Sequence, residues 1–321
     1  MEAMVKRKSN LYDNMCDVKN IMLVYDEVCR NTKNKARVNT YREYKCSNVA
    51  KIYNTLVNHK YVVGPYNVFT IYEPKERRIV SQKMFDKIVN HLVARYILMP
   101  SIFPSLIDEN VASRKNMGTK AGLLYVKEYM RKCKIKYGKY YILKCDISKF
   151  FASIDHDILK EKLLRKIKDK NALKIVFDII DSEEEGLGIG NMTSQILAIF
   201  YLNDLDHYIK EKLHIKYYIR YQDDFILFHQ SKEYLRFCLE EIDKFVQKEK
   251  LTLNKKTRIY NSNNNYIYLG RNKYGTYAKH RYVKRRLKKA RYLYDSGVID
   301  LINMVSILQS YDYLTGSKII Y

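Results

Sequence analysis

The stretch 216-KYYIRYQDDFILFH-229 decides the fold. Tyr217, Ile219 and Tyr221 alternate with Tyr218 and Arg220, and Phe225, Ile226, Leu227 and Phe228 follow as a short apolar run. The pattern predicts two strands flanking a tight polar turn that holds Gln222, Asp223 and Asp224. Adjacent carboxylates at a hairpin tip repel each other. If half buried they need neutralising, which a divalent cation with oxygen ligands does well. A solvated Asp-rich turn is the plain alternative for so short a string. The choice rests on whether the chain supplies a third acid and groups for phosphates.

A third acid lies upstream. In 140-YYILKCDISKFFASIDHDIL-159 a strand-like run from Tyr140 to Cys145 ends at Asp146, and strand alternation puts Cys145 and Asp146 on opposite faces. The thiol can pack inside while the acid sits at an open edge. Further upstream, 68-VFTIY-72 and 77-RRIV-80 form a hairpin candidate whose charged turn, 73-EPKER-77, faces solvent or a ligand.

Helical periodicity fills the spaces between. Residues 11 to 30 place Leu11, Met15, Val18, Met22, Tyr25 and Cys29 on one face, and a basic polar stretch, 31-NTKNKARVNT-40, follows. The segment 82-QKMFDKIVNHLVARYIL-98 reads as a helix that stops before Pro100, with His91 a packed or capping residue. The basic loop 113-SRKNMGTKAG-122 leads into another helix, and is either a flexible surface loop or a backbone approach to phosphate or ribose. Residues 158 to 181 read as helical. The Gly-punctuated tract 183-EEEGLGIGNMTSQ-195 offers Asn191, Thr193 or Ser194 as cap for a long helix from Gln195 to Leu213. The cleanest amphipathic helix is 231-SKEYLRFCLEEIDKFVQKEK-250. This order predicts an α+β fold, an antiparallel sheet with helices on one face.

Charge narrows the partners. In 321 residues, Lys+Arg 59 against Asp+Glu 35 gives a net charge of +24, which attracts polyanions, nucleic acid first. No run approaches the ~20 apolar residues that span a bilayer, so no membrane partner is expected and the cytoplasm is the expected location. The six cysteines form no C-x-x-C pair or zinc spacing and read as reduced core residues. The segment 279-KHRYVKRRLKKAR-291 carries eight Lys/Arg and no acid, with Arg281, Arg285 and Lys289 on one helical face and Val283, Leu287, Ala290 and Tyr294 on another.

Taken together, 73-EPKERRI-79, 118-GTKAG-122, 144-KCDISKFFASIDH-156, 186-GLGIGNMTSQ-195, 221-YQDD-224, 251-LTLNKKT-257 and 266-YIYLG-270 resemble, in kind and order, the reverse transcriptases of bacterial retroelements. Within them, 189-IGNMTSQ-195 resembles the diversity-generating retroelements: most relatives carry Gln where this chain has Ile189 and Pro where it has Gln195. The resemblance implies a right-hand polymerase fold: an N-terminal helical extension over 1–60, fingers and palm interleaved over 61–265, and primer grip and thumb over 266–321. It implies RNA-directed DNA synthesis, error-prone at template adenines, for mutagenic copying of a template RNA. A phage-defence or group II intron-like enzyme is the alternative in the same class, and a non-catalytic RNA-binding protein the alternative outside it.

The same resemblance assigns roles. Asp146, Asp223 and Asp224 would hold two Mg²⁺ ions, or Mn²⁺ in their place, about 3.5–4 Å apart. Lys75 and Arg77 would hold the dNTP triphosphate, with Phe151 as the gate against a ribose 2′-hydroxyl. Ile189, Gly190 and Gln195 would lie beneath the templating pair, and Lys255 near the pyrophosphate. Tyr221, Gln222, Tyr268, Leu269 and Gly270 would contact nucleic acid, and Arg281, Arg285 and Lys289 would track the RNA/cDNA duplex. A small basic oligomeric accessory variability protein is the implied protein partner.

Overall fold

The computed structural model describes residues 9–32, 35–72, 76–272 and 280–315. Helices α1 (Leu11–Cys16), α2 (Val18–Asn31), α3 (Lys35–Glu43) and α4 (Lys45–Val57) come first, then a hairpin of β1 (Asn67–Ile71) and β2 (Arg77–Ser81). Helices α5 (Met84–Val93), α6 (Met99–Ile102) and α7 (Thr119–Tyr137) lead into β3 (Tyr141–Asp146). Four further helices follow: α8 (His156–Leu164), α9 (Lys170–Ile180), α10 (Met192–Tyr201) and α11 (Asn203–His207). The central hairpin pairs β4 (Tyr217–Tyr221) with β5 (Asp224–His229). After it come α12 (Lys232–Lys248), β6 (Arg258–Asn261), a small hairpin of β7 (Ile267–Tyr268) and β8 (Arg271–Asn272), α13 (His280–Asp295) and α14 (Leu301–Thr315).

Among the described residues the central sheet has four strands in the order β4-β5-β3-β6, each neighbour antiparallel. Its side chains divide by alternation. Phe225 and Leu227 of β5, with Leu143, Cys145 and Tyr218, face a core that α12 closes with Leu235, Cys238, Ile242 and Val246. Ile226 and Phe228, with Ile142, Tyr217 and Ile219, face a second core closed by Val126, Tyr129 and Cys133 of α7 and by Tyr266 and Tyr268. The sequence pattern predicts helices on one face only. Both faces are covered, because a strand apolar at four successive positions has no face to give to water.

Three expected helices are interrupted, each for a local reason. Asp17 ends α1 and caps α2, its side chain accepting from the N–H groups of Lys19 and Asn20. The break resets the helical phase, so Val18 and Met22, expected inside, are 42% and 38% exposed. Asp169 caps α9 by accepting from Asn171 and Ala172, and its other oxygen accepts the Tyr12 N–H at 2.9 Å, tying α1 to α9. The helix expected from Gln195 to Leu213 divides at Leu202 into α10 and α11, with a π-helical turn over Tyr208–Lys212.

A fourth expectation fails in the other direction. The helix expected to stop before Pro100 continues through it, because a π-helical turn over Ala94–Leu98 widens the spiral and Pro100 enters within the first turn of α6, where its missing N–H is harmless. The N-terminal helices bury Leu11, Met15, Ile21, Tyr25, Ile52 and Leu56 in the same core as α5, α9 and α10. At the other end, α13 packs on α14.

Candidate active site

Two strands end where their acids meet. In the antiparallel register of β3 with β5, Asp146 stands opposite Asp224, and Tyr221 of β4 stands opposite Asp224 on the other side. Gln222 and Asp223 form the turn, with Gln222 at φ 55°, a left-handed conformation uncommon outside glycine. Asp224 is therefore a strand residue, and Asp223 is the acid that the turn presents.

The electrostatics of the pair are unbalanced. Lys144, two residues before Asp146 and so on the same face of β3, lies 2.8 Å from Asp224 Oδ1. Burial pushes the Asp224 carboxyl up to about 6, with Lys144 pulling down and Asp146 and Asp223 adding repulsion. Among the described residues no group of three or more His, Cys, Asp or Glu side chains is gathered so as to hold a metal ion. The donor set nonetheless fits a hard cation: carboxylates facing across a strand pair, at least one of them resisting ionisation without a counter-charge. Asp146 and Asp223 would hold it first, since Asp224 is engaged by Lys144.

Backbone bonds arrange the other expected residues around this end of the sheet. Ser148 N–H donates to Thr252 O at 2.8 Å and Asn254 N–H donates to Asp146 O at 2.7 Å, which sets exposed Lys255 one residue beyond the peptide that touches Asp146. Leu187 N–H donates to Phe151 O at 2.8 Å, and Val80 N–H of β2 donates to Ile189 O at 3.1 Å. The loop around Ile189 thus bridges the β1–β2 hairpin and the segment carrying Phe151. Two glycines make the approach feasible. A Cβ on Gly186 (φ 64°) would collide with Phe151 O, and one on Gly190 (φ 127°) would lie 2.6 Å from Val80 O. Ile189 is half-buried, while Gln195 is exposed at the start of α10. Asn191 takes the cap position there without a side-chain bond. Asn90 of α5 makes it instead, accepting the Thr193 N–H at 3.2 Å and donating to Thr193 Oγ1 at 2.8 Å.

Some expected contacts are placed differently. Tyr268 is 1% exposed, packed beside Gly122 of α7, so its ring supports the β7–β8 hairpin from beneath and offers no surface to a primer. Leu269 and Gly270, both at positive φ, form the turn above it; Gly270 is exposed, while Leu269 is half-buried against the second core beside Gly122. Arg77 is exposed at the start of β2, as is Arg78, which pairs with Glu183 at 3.3 Å; Lys75 lies outside the described residues. Arg285 and Lys289 are exposed on α13 with Ala290 buried behind them, and the Arg281 side chain lies outside the described residues.

Sequence reasoning missed three supports. Ser113, in the basic loop, accepts from Gln222 Nε2 at 3.1 Å and donates to Gln195 Oε1 at 3.5 Å, joining the Gln222–Asp223 turn to α10. Lys144 could have been found two residues before Asp146 on the same strand face. Arg220, a lone charge in an aromatic strand, is completely buried against Asp206.

Known proteins resemble this chain in sequence and in fold. The family model for reverse transcriptase (RNA-dependent DNA polymerase) matches residues 73–272. The chain is 24% identical over 223 residues to the COX1/OXI3 intron 1 protein of Saccharomyces cerevisiae, covering 64% of this chain and 26% of that protein. It is 27% identical over 110 residues to the intron 2 protein of the same yeast, covering 31% of this chain and 12% of that protein. Apo telomerase from Candida tropicalis superposes with a TM-score of 0.53 at 15% identity, covering 66% of this chain and 54% of that one. Telomerase from Candida albicans bound to a fragment of telomeric RNA superposes at 0.52 and 12% identity, covering 86% and 59%. The chain thus spans about a quarter of the first yeast relative's length and just over half of the telomerase chains, which share its polymerase fold. The matched segment runs from the β1–β2 turn through all three acids to β8, and the chain belongs to the reverse transcriptase family.

Proposed function

We propose that this chain is an RNA-directed DNA polymerase that copies a template RNA into cDNA from dNTPs. The observation that carries the reading is the register of Asp146 against Asp224 at the strand ends, with Asp223 in the adjoining turn. Bound there, divalent ions supply charge neutralisation at the primer 3′-hydroxyl and the leaving pyrophosphate. The chain's own residues do the rest. Asp146 and Asp223 fix the cation site, and Lys144 holds Asp224 aside as a second-rank ligand. Arg77 engages the triphosphate, Phe151 closes the sugar pocket to a 2′-hydroxyl, and Lys255 meets the departing pyrophosphate. A primer-extension assay on an RNA template tests this directly. Asp223→Asn should abolish incorporation while RNA binding and the unfolding midpoint stay near wild type, and substantial extension by that variant would sink the assignment.

The finer reading is a diversity-generating retroelement enzyme that miscopies template adenines and works with a small basic oligomeric accessory protein in the cytoplasm. Ile189, in a loop bonded to the β1–β2 hairpin, and Gln195, in the first turn of α10, support it. The yeast intron proteins favour an intron-like enzyme as the second reading. The error spectrum separates the two: substitutions concentrated opposite adenine support the first, a flat low-error spectrum the second.

A further inference from the structure

Arg220 is a charged side chain with no exposure, in the strand that leads into the catalytic turn. Its guanidinium meets three separate acceptors. Nε and Nη2 donate to Asp206 of α11 at 2.7 and 2.5 Å, Nη2 also donates to Ile199 O of α10 at 2.9 Å, and Nη1 donates to Gln222 O at 2.9 Å. Asp206 is equally buried and takes a further bond from Tyr218 Oη at 2.7 Å. The backbone of Arg220 is pinned as well, its N–H donating to Glu109 O at 3.1 Å and its carbonyl accepting from Val111 N–H at 3.0 Å.

Burying an ion pair is a poor route to stability, since two well-packed apolar residues often serve as well or better. What apolar residues cannot do is hold Gln222 O. That carbonyl and the Asp223 N–H belong to one peptide plane. Clamping the oxygen fixes the plane from which the Asp223 side chain departs, and it does so beside a Gln222 whose left-handed φ of 55° would otherwise relax. The same guanidinium grips α10, whose first turn adjoins the Ile189 loop, so one side chain registers the turn against both α10 and α11.

We propose that Arg220 is a positioning residue for the reaction: it orients the Gln222–Asp223 peptide and thereby aims the Asp223 carboxylate. The proposal rests on the polymerase reading of this site. It does not rest on fold stability, and this separates it from a structural role. In Arg220→Lys, charge is kept but three diverging acceptors cannot all be reached. In the double variant Asp206→Leu/Arg220→Met, the core is refilled without the clamp.

The experiment measures both variants two ways. In metal-free protein, amide hydrogen exchange followed by mass spectrometry compares peptides covering residues 221–224 with peptides covering β3. The expected result is exchange at least about tenfold faster in the turn with β3 unchanged, as for local opening apart from the rest of the fold. In primer extension, kcat should fall about a hundredfold while KM for dNTP barely moves, the mark of a misplaced reacting group. Should the double variant fail to fold, Arg220→Lys alone carries the test. Wild-type turn exchange in a folded variant, or wild-type kcat, overturns the proposal. A wild-type protein that extends no primer defeats the polymerase reading instead, and the exchange comparison still decides whether Arg220 holds the turn.

Discussion

Asp224 carries the sharpest consequence at the level of single residues. Its carboxyl is raised from 3.8 to about 6, chiefly by burial. A raised folded value stabilises the fold at acid pH, in full below the unfolded value, and the contribution disappears as pH climbs through about 6. The interval corresponds to about 3 kcal/mol. In EDTA, wild type should therefore lose unfolding free energy relative to Asp224→Asn between pH 4 and pH 7.5. Thermal midpoints at several pH values check it, and parallel curves for the two proteins would refute it. Ile189 sets a second test. Under the proposed reading its branched side chain would offer the templating pair no donor or acceptor, so Ile189→Gln should lower misincorporation opposite adenine by about two- to tenfold, the worth of one hydrogen bond. Sequencing cDNA copied from one RNA by both enzymes measures it, and identical adenine error rates would place the selectivity in another part of the pocket. That Asp146, Asp223 and Asp224 meet at one end of the sheet was legible in the sequence because the strand pattern ends at each of them. Arg220 with Asp206 was not, since a buried pair is a fact of tertiary contact and only an odd charge among tyrosines announces it.

Elements were legible in kind and less so in extent. The strands β3, β4 and β5 follow their apolar pattern closely, and Ser231 caps α12 with Leu235, Cys238, Ile242 and Val246 buried as periodicity predicts. Helix breaks escape such a reading because apolar spacing can run on across a cap that resets the phase, as at Asp17 and Asp169. Asp169 is the more open to test. One oxygen caps α9 and the other accepts the Tyr12 N–H. Asp169→Ala should destabilise by about 1–3 kcal/mol, since it removes both a cap and a long-range bond. Asp169→Asn, which keeps a capping oxygen, should cost less. Denaturant unfolding of both variants decides, and equal destabilisation would show that the capping oxygen is irrelevant.

For the molecule as a whole, the net charge of +24 favours a polyanion partner without saying where one would bind. Exposed Arg285 and Lys289 give one answer, with Ala290 packed behind them. Replacing both with Gln should weaken duplex binding for every sequence and flatten the plot of log affinity against log salt by about 0.7–0.9 for each phosphate no longer neutralised. An unaltered slope would turn α13 toward a protein partner. That the sheet is covered on both sides was readable in principle from Phe225 to Phe228, but which helix covers which side depends on chain crossings that no local pattern encodes.

The two-sided burial of that sheet equips the protein with its own reporters. Cys238 of α12 lies in one layer and Cys133 of α7 in the other, their thiols pushed by burial up to about 11 and about 12, while Cys46 on α4 is exposed. In a variant with Cys16, Cys29 and Cys145 replaced by Ala, a thiol reagent should modify Cys46 at once and reach Cys133 and Cys238 only when a layer lifts. The two slow rates then time each layer's opening separately. Matching rates would mean that palm and helices part as a unit, and divergent rates would show which side of the polymerase breathes first.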